Sequence, residues 1–351
     1  MISLQELILL ESTRVNKSSK MLKQIDRPSG SRVAGVGVYR PIRIVKNNEI
    51  IHKIDSTDQW IRERSGIIER RYASSQETVA KMATEACLSA LLDAKIDALD
   101  IDLVILATAT NPAQLPNLAM EIATNIGAIN AGAYDIGAAC SGFSYGLAIA
   151  SSAVLSGDAR NVLIVGSERM TDFVSETDRG TAFLFADGAG AFVVTGSEKT
   201  EISSPVWGSD GNLNDWICMT KNWPTYMNEK NGEFPALKME GQKVFRWAIT
   251  EMVGIAHRTL EKAGIGVQDL GAFVPHQANQ RITDHIAKSL KLPDHVAVAR
   301  DGINMGNTTA ATIPLALDTL RRNGEVKSGD LALLMGFGAG LAYSGQVIVV
   351  P

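Results

Sequence analysis

The chain has 351 residues, 45% of them hydrophobic and 21% charged, with a net charge of −4 at pH 7 and a pI of about 5.8. This is the composition of a globular protein with a large core, built as one big domain or two fused ones. It excludes the basic field that general binding to nucleic acid or an anionic membrane requires, and no apolar run of about 18 residues is present to span a bilayer. Three cysteines with no Cys-x-x-Cys spacing give neither a disulfide framework nor a zinc motif, so free thiols in a reducing cytoplasm are expected.

Residues 1–32 precede the first convincing strand, Val33 to Val38, and from Ser12 to Arg32 they hold six basic residues and one acidic. The expectation is an N-terminal extension that is disordered or not translated, with Met21 as a candidate start, or a transit-like segment. Thr78 to Lys95 has helical spacing and is followed by an apolar strand, Ile101 to Ala107. Leu118 to Ile126 reads as a helix and Tyr134 to Ile136 as a short strand. The small residues of Gly137 to Gly142 make a turn before a helix through Leu155. Strands at Val162 to Val165 and Ala191 to Val194 complete a first half, 33–200. Nearly unbroken apolar strands of this kind suit a parallel sheet buried on both faces.

Residues 201–235, with Trp207, Trp216, Trp223, Pro205 and Pro224, read as an irregular surface excursion of the kind that lines substrate entrances. Helix resumes at Leu237 to Lys262 and opens a second half, 201–351. A strand ends in Val274-Pro275-His276, and the last strands are Leu331 to Met335 and Gly345 to Val350, joined through Gly336 to Gly340.

The two halves repeat one another. Asp100 and Ile105 correspond to Asp269 and Val274 at an offset of 169, Cys140 and Gly157 to Asn307 and Gly324 at 167, and Leu163 to Leu333 at 170. Three blocks in one order at nearly one offset point to a duplicated α/β unit. A pseudo-twofold packing of the halves then brings Cys140 and Asn307 together, with His276 able to join them.

Cys140 is the candidate nucleophile. At the start of a helix its thiolate is favoured by the dipole and by unpaired N–H groups, although a small buried core cysteine fits the residue taken alone. Cys87, inside a periodic helix, reads as core, and Cys218 has no base beside it. His276 sits between a strand and a helix, where side chains commonly point into a site, whereas His52, His257, His285 and His295 read as solvated. Asn307 is a turn residue or a helix cap on its own. Beside His276 it becomes a second donor to one oxygen, as an enolate or tetrahedral oxyanion needs. Neither Gly35-Val-Gly37 nor Gly336-Phe-Gly338-Ala-Gly340 meets a dinucleotide-binding pattern, and no phosphate loop is present, so no redox or nucleotide cofactor and no metal is indicated.

Seven blocks in order resemble the β-ketoacyl-acyl carrier protein synthase III family of thiolase-like condensing enzymes. They are Asp58 to Ile67, Ala138 to Phe143, Thr177 to Thr181, Phe185 to Gly190, Pro275 to Asn279, Gly306 to Thr308 and Gly336 to Gly340. The resemblance covers about Val33 to Pro351. It implies an α/β fold, a five-layered αβαβα sandwich of two duplicated halves. The implied reaction transfers an acyl group from coenzyme A to Cys140 and then condenses it, with decarboxylation, with malonyl-acyl carrier protein to start fatty-acid synthesis. His276 and Asn307 then stabilise the enolate, and backbone N–H groups of Cys140 and Gly338 form the oxyanion hole. The resemblance further implies coenzyme A contacts at Trp60, Arg64, Arg179 and Asn279, and contacts to the acyl carrier protein at Arg281, Lys288 and Lys291. It also implies a cytoplasmic homodimer in which Leu115 reaches the partner's acyl pocket. From the sequence alone Trp60 and Arg64 are a helix-face pair, and Arg281, Lys288 and Lys291 are ordinary solvated charge.

Several other readings compete. One is a priming ketosynthase or non-decarboxylating acyltransferase of secondary metabolism on the same fold. A papain-like hydrolase shares the Cys, His, Asn order, with His276 lying 136 residues after Cys140, but the flanking Cys-Gly-Ser-Cys-Trp signature is missing. A silent binding protein on this fold would have lost one of the three reactive residues, and all three are present.

Overall fold

The computed structural model describes residues 26–229 and 232–351. Expectations for residues 1–25 lie outside them. Gly30–Tyr39 (β1), Leu103–Ala107 (β4), Gly132–Ile136 (β5), Asn161–Arg169 (β6) and Asp187–Ser197 (β7) form a five-stranded sheet in the order β1-β7-β6-β4-β5. Between β1 and β4, Arg43–Lys46 (β2) and Glu69–Tyr72 (β3) make a separate two-stranded ribbon. The second large sheet has the order β12-β11-β13-β14-β8. Its strands are Val206–Ser209 (β8), Leu270–Pro275 (β11), Ala297–Val298 (β12), Leu331–Gly338 (β13) and Ala342–Val349 (β14). Ile217–Met219 (β9) pairs with Leu237–Met239 (β10).

Helices separate and cover the sheets. Asp58–Ser65 (α1) lies in the β2–β3 connection, Val79–Ala94 (α2) and Leu118–Ile126 (α3) cover the outer face of the first sheet, and Gly142–Ser156 (α4) packs on its inner face. Trp223–Asn228 (α5) is short. Gly241–Ala263 (α6) and Gln280–Ser289 (α7) cover the outer face of the second sheet. Gly302–Met305 (α8) is a single turn, and Thr312–Arg322 (α9) lies beside α4 between the sheets. The layers therefore run α2/α3, sheet, α4/α9, sheet, α6/α7.

Strand periodicity explains the layering. In β4, Ile105 and Ala107 face the central layer while Val104 and Leu106 face α2 and α3, and all four are fully buried. The most apolar helical stretch, Ala139–Ser156, is α4 with its preceding turn, packed in the middle of the molecule. Gly35 and Gly37 serve packing: a Cβ on Gly37 would lie 2.1 Å from Ala90 N and 2.2 Å from Ala86 O, so β1 rests on the backbone of α2.

Several boundaries differ from those the sequence suggests. β1 begins at Gly30, three residues inside the span assigned to an N-terminal extension, because Ser31 is buried and bonds Ser151 across the core. Leu237 to Met239 is strand, not the start of a helix, because its partner Ile217–Met219 lies in the segment read as irregular. That segment also supplies β8, the edge strand beside β14. The repeat runs at 170 around Cys140: the 3-10 turn Ala139–Ser141 corresponds to Thr309–Ala311, and β6 to β13. The offset of 167 at Gly157 and Gly324 arises because α9, with 11 residues, is shorter than α4, with 15, and the same offset between Cys140 and Asn307, which precede both helices, is not a structural equivalence. Cys140 is therefore the counterpart of Ala310, and Asn307 lies just ahead of the second turn.

Candidate active site

The candidate catalytic residues lie where the two halves meet. Between β5 and α4 the chain makes the 3-10 turn that carries Cys140, with Ala139 at φ 43°, a left-handed conformation that costs a non-glycine residue energy. Thr309, at φ 45°, opens the matching turn of the second half. Each turn is clasped by a glycine of the other half. A Cβ on Gly166 would lie 2.6 Å from Ala310 O, and one on Gly336 would lie 3.1 Å from Ser141 Cα. Phe143, fully buried and edge-on to Phe192 at 4.8 Å, pins the first turn of α4 to the sheet.

Cys140, His276 and Asn307 line one cavity of about 110 Å3, with Phe337, Gly338 and Ala339 on the same wall. Burial, and the charge of Glu168, push the Cys140 thiol up to about 12, while N–H groups of Cys140 itself and of Ala339 pull the other way. The thiolate expected from the helix start is thus outweighed by desolvation in the free protein. Gly338 was expected to supply the second N–H. Its own place is steric, since a Cβ there would fall 3.0 Å from Cys140 Sγ, and the N–H that reaches the sulfur belongs to the next residue, Ala339.

His276 follows β11, is buried and lies edge-on to Phe337 at 5.4 Å. Burial lowers its pKa to about 3, so the ring is neutral at physiological pH. Its Nδ1 lies 2.7 Å from Thr312 Oγ1. Asn307 is fixed by its backbone, which bonds Leu184 O and Ala186 N, and by its side chain, whose Oδ1 accepts the Thr309 N–H at 2.9 Å. With the oxygen engaged, the amide Nδ2 remains as the donor end.

Glu168, at the end of β6, is a fully buried carboxyl that the sequence did not single out. It accepts hydrogen bonds from Ala109 N–H, Thr108 Oγ1 and Thr110 Oγ1, the last at 2.7 Å, and burial raises its pKa. It holds the loop leaving β4 against the cavity, where Ala109 is a lining residue.

A larger cavity of about 670 Å3 shares Leu184, Met239, Phe245 and Asn279 with the small one and is lined also by Trp60, Arg64, Arg179, Arg246 and Arg281. Arg179 stacks over Trp60 at 4.8 Å, and Arg64 approaches the same ring at 6.0 Å. Asn279 caps α7 by accepting the Arg281 N–H and donates to Arg64 O, so both ends of its amide brace the mouth. Arg281 stacks over Phe245 at 4.8 Å. Lys288 and Lys291 are exposed farther along, outside the cavity lining. Leu115, 81% exposed, stands on the loop between β4 and α3. Cys87 is fully buried and Cys218 half-buried, neither in either cavity, and the other four histidines are exposed. Among the described residues no cluster of His, Cys, Asp or Glu has the form of a metal site.

Two sheets enclosing a pair of central helices, with the candidate residues at the junction of the halves, define a thiolase-like scaffold. Residues 134–211 match the family described as 3-oxoacyl-[acyl-carrier-protein] synthase III, and residues 260–350 match its C-terminal domain. The chain is similar to beta-ketoacyl-[acyl-carrier-protein] synthase III 1 of Streptomyces avermitilis, with 48% identity covering 92% of this chain and 97% of that one. Among solved structures it resembles the priming beta-ketosynthase of the R1128 polyketide pathway, with TM-score 0.92, 47% identity and coverage of 94% and 98%. It also resembles the 3-oxoacyl-[acyl-carrier-protein] synthase III of Aquifex aeolicus, with TM-score 0.84, 36% identity and coverage of 91% and 100%. The chain belongs to the β-ketoacyl-acyl carrier protein synthase III family and is a condensing acyltransferase.

Proposed function

We propose that this enzyme loads an acyl group from coenzyme A onto Cys140 and condenses it with malonyl-acyl carrier protein to start fatty-acid synthesis. The observation that carries the reading is the convergence of Cys140, His276 and Asn307 on one small cavity at the base of an arginine-lined one. In the first half-reaction Cys140 sulfur, on losing its proton, attacks the thioester carbonyl. The oxyanion is held by the N–H groups of Cys140 and Ala339, and coenzyme A leaves as the thiol. In the second, the malonyl thioester loses carbon dioxide, and its enolate oxygen is held by His276 Nε2 and Asn307 Nδ2. The enolate carbon attacks the Cys140 thioester, and the sulfur leaves.

Trp60 and Arg179 take the adenine between them, which requires Arg179 to lift from its stacked position, and Arg64 and Arg246 meet phosphates. Asn279 shapes the neck between the cavities beside the pantetheine arm. Arg281, Lys288 and Lys291 receive the acidic carrier protein. Leu115, on an exposed loop, enters the acyl pocket of a partner in a homodimer. We further propose two duplicated halves, 33–200 with β1 extending it to Gly30, and 201–351, in a cytoplasmic enzyme that needs no metal or cofactor. Similarity to a priming ketosynthase supports a second reading, in which the same chemistry starts a polyketide. Trials with fatty-acid and polyketide carrier proteins separate the two.

Incubation with acetyl-, isobutyryl- and lauroyl-coenzyme A, followed by intact and peptide mass spectrometry, tests the first step. The acyl mass is expected on the Cys140 peptide and absent in Cys140→Ala. Absence of an adduct with every donor would reject acyl loading from coenzyme A.

A further inference from the structure

Thr312, the first residue of α9, is buried, and its Oγ1 lies 2.7 Å from His276 Nδ1 and 2.9 Å from Thr309 O. One hydroxyl proton thus has two acceptors within reach. Turned to Thr309 O, it leaves the ring proton on Nδ1 and a bare lone pair on Nε2. Turned to Nδ1, it leaves the ring proton on Nε2. Thr309 O already receives the Thr312 backbone N–H, so the second setting strands no carbonyl. An enolate oxygen held by Asn307 Nδ2 needs a donor, not a lone pair, from the ring beside it.

The duplication shows that packing does not demand this contact. At the matching positions of the first half stand Ala107 and Gly142, and a Cβ on Gly142 would lie 3.2 Å from the Ala107 Cβ. The same strand end meets the same helix start there with no polar group at all. The polar pair exists only in the half that carries the histidine.

We infer that Thr312 is a positioning residue that donates to His276 Nδ1 and so holds the neutral ring with its proton on Nε2. The inference rests on the condensing reading above, and its test has an arm that does not depend on activity. In protein labelled with 15N-histidine, the His276 signal, identified among five histidines by its loss in His276→Asn, should show a pyridine-type Nδ1 and a pyrrole-type Nε2. In Thr312→Val this preference should fall away, and in Thr312→Ser it should return. Thr312→Val should acylate Cys140 within about threefold of the wild-type rate. Its kcat for carbon dioxide release from malonyl-acyl carrier protein should drop roughly 10- to 100-fold with KM little changed, and Thr312→Ser should recover most of it. A protonated Nδ1 in the wild type overturns the inference even if Thr312→Val fails to fold, and so does a Thr312→Val enzyme that condenses at the wild-type rate. A wild type with the expected tautomer that takes up no acyl group would instead overturn the condensing reading and leave the inferred hydrogen bond standing.

Discussion

His276 is held uncharged by its surroundings, and this ties the site to the stability of the fold. With a folded pKa of about 3, below the ordinary 6.5, the native state binds fewer protons than the unfolded chain between those values. Its contribution is fully present above pH 6.5 and is lost as pH falls toward 3. The urea-unfolding free energy of the wild type relative to His276→Asn should therefore fall by about 2 kcal/mol between pH 7 and pH 5. A difference that stays constant would mean that the ring is free to protonate in the native state. The three candidate residues stand out in the sequence because each lies among small or rigid neighbours at an element boundary, in an order that the resemblance recognises, and the structure gathers them around one cavity. Glu168 and Thr312 do not stand out, because Ser167-Glu168-Arg169 reads as a polar strand end and Thr312 as one more small residue in a helix. Nor does Arg70, which reads as solvated charge in Glu69-Arg70-Arg71 yet is fully buried, donating to Val45 O, Asn47 Oδ1 and Phe183 O. Only tertiary packing separates such residues from surface ones.

Elements of regular period could be read closely: α3 spans the residues that its spacing predicts, and α2 differs by one at each end. Short strands paired over long sequence distances could not, as β8 and β10 show, because three or four residues carry too little periodicity to announce a partner. The same limit hid the register of the repeat, because the glycine that follows the shorter α9 comes three residues sooner after the helix start than the glycine that follows α4. Glycines mark the contacts that matter at this scale. Gly338 gives the β13–β14 hairpin its approach to Cys140, and Gly37 gives β1 its approach to α2. Gly37→Ala places a methyl about 2 Å from helix backbone and should lower the urea-unfolding free energy by about 3 kcal/mol. Wild-type stability in that variant would show that strand and helix separate more easily than this packing allows.

At the scale of the molecule, duplication placed one 3-10 turn in each half and clasped each with a strand of the other, so the cavity that gathers Cys140, His276 and Asn307 exists only when the halves are assembled. The larger cavity leads from the arginine-lined mouth past Phe245 and Asn279 to the small cavity lined by Cys140, His276 and Asn307. Its cations and aromatic rings suit a long anionic thioester carrier, while the inner cavity suits reacting carbonyls. This geometry is what supports the proposed division of labour, with Cys140 and two backbone N–H groups for acyl transfer and His276 with Asn307 for condensation.

The most direct measurement follows both half-reactions in His276→Ala and Asn307→Ala: acyl mass on Cys140 after an acyl-coenzyme A is added, then β-ketoacyl-carrier protein after malonyl-acyl carrier protein is added. Both variants should carry the acyl group on Cys140 and yield product at least 100-fold more slowly than the wild type. Product formed at the wild-type rate by both would contradict the assignment of the enolate to these two residues.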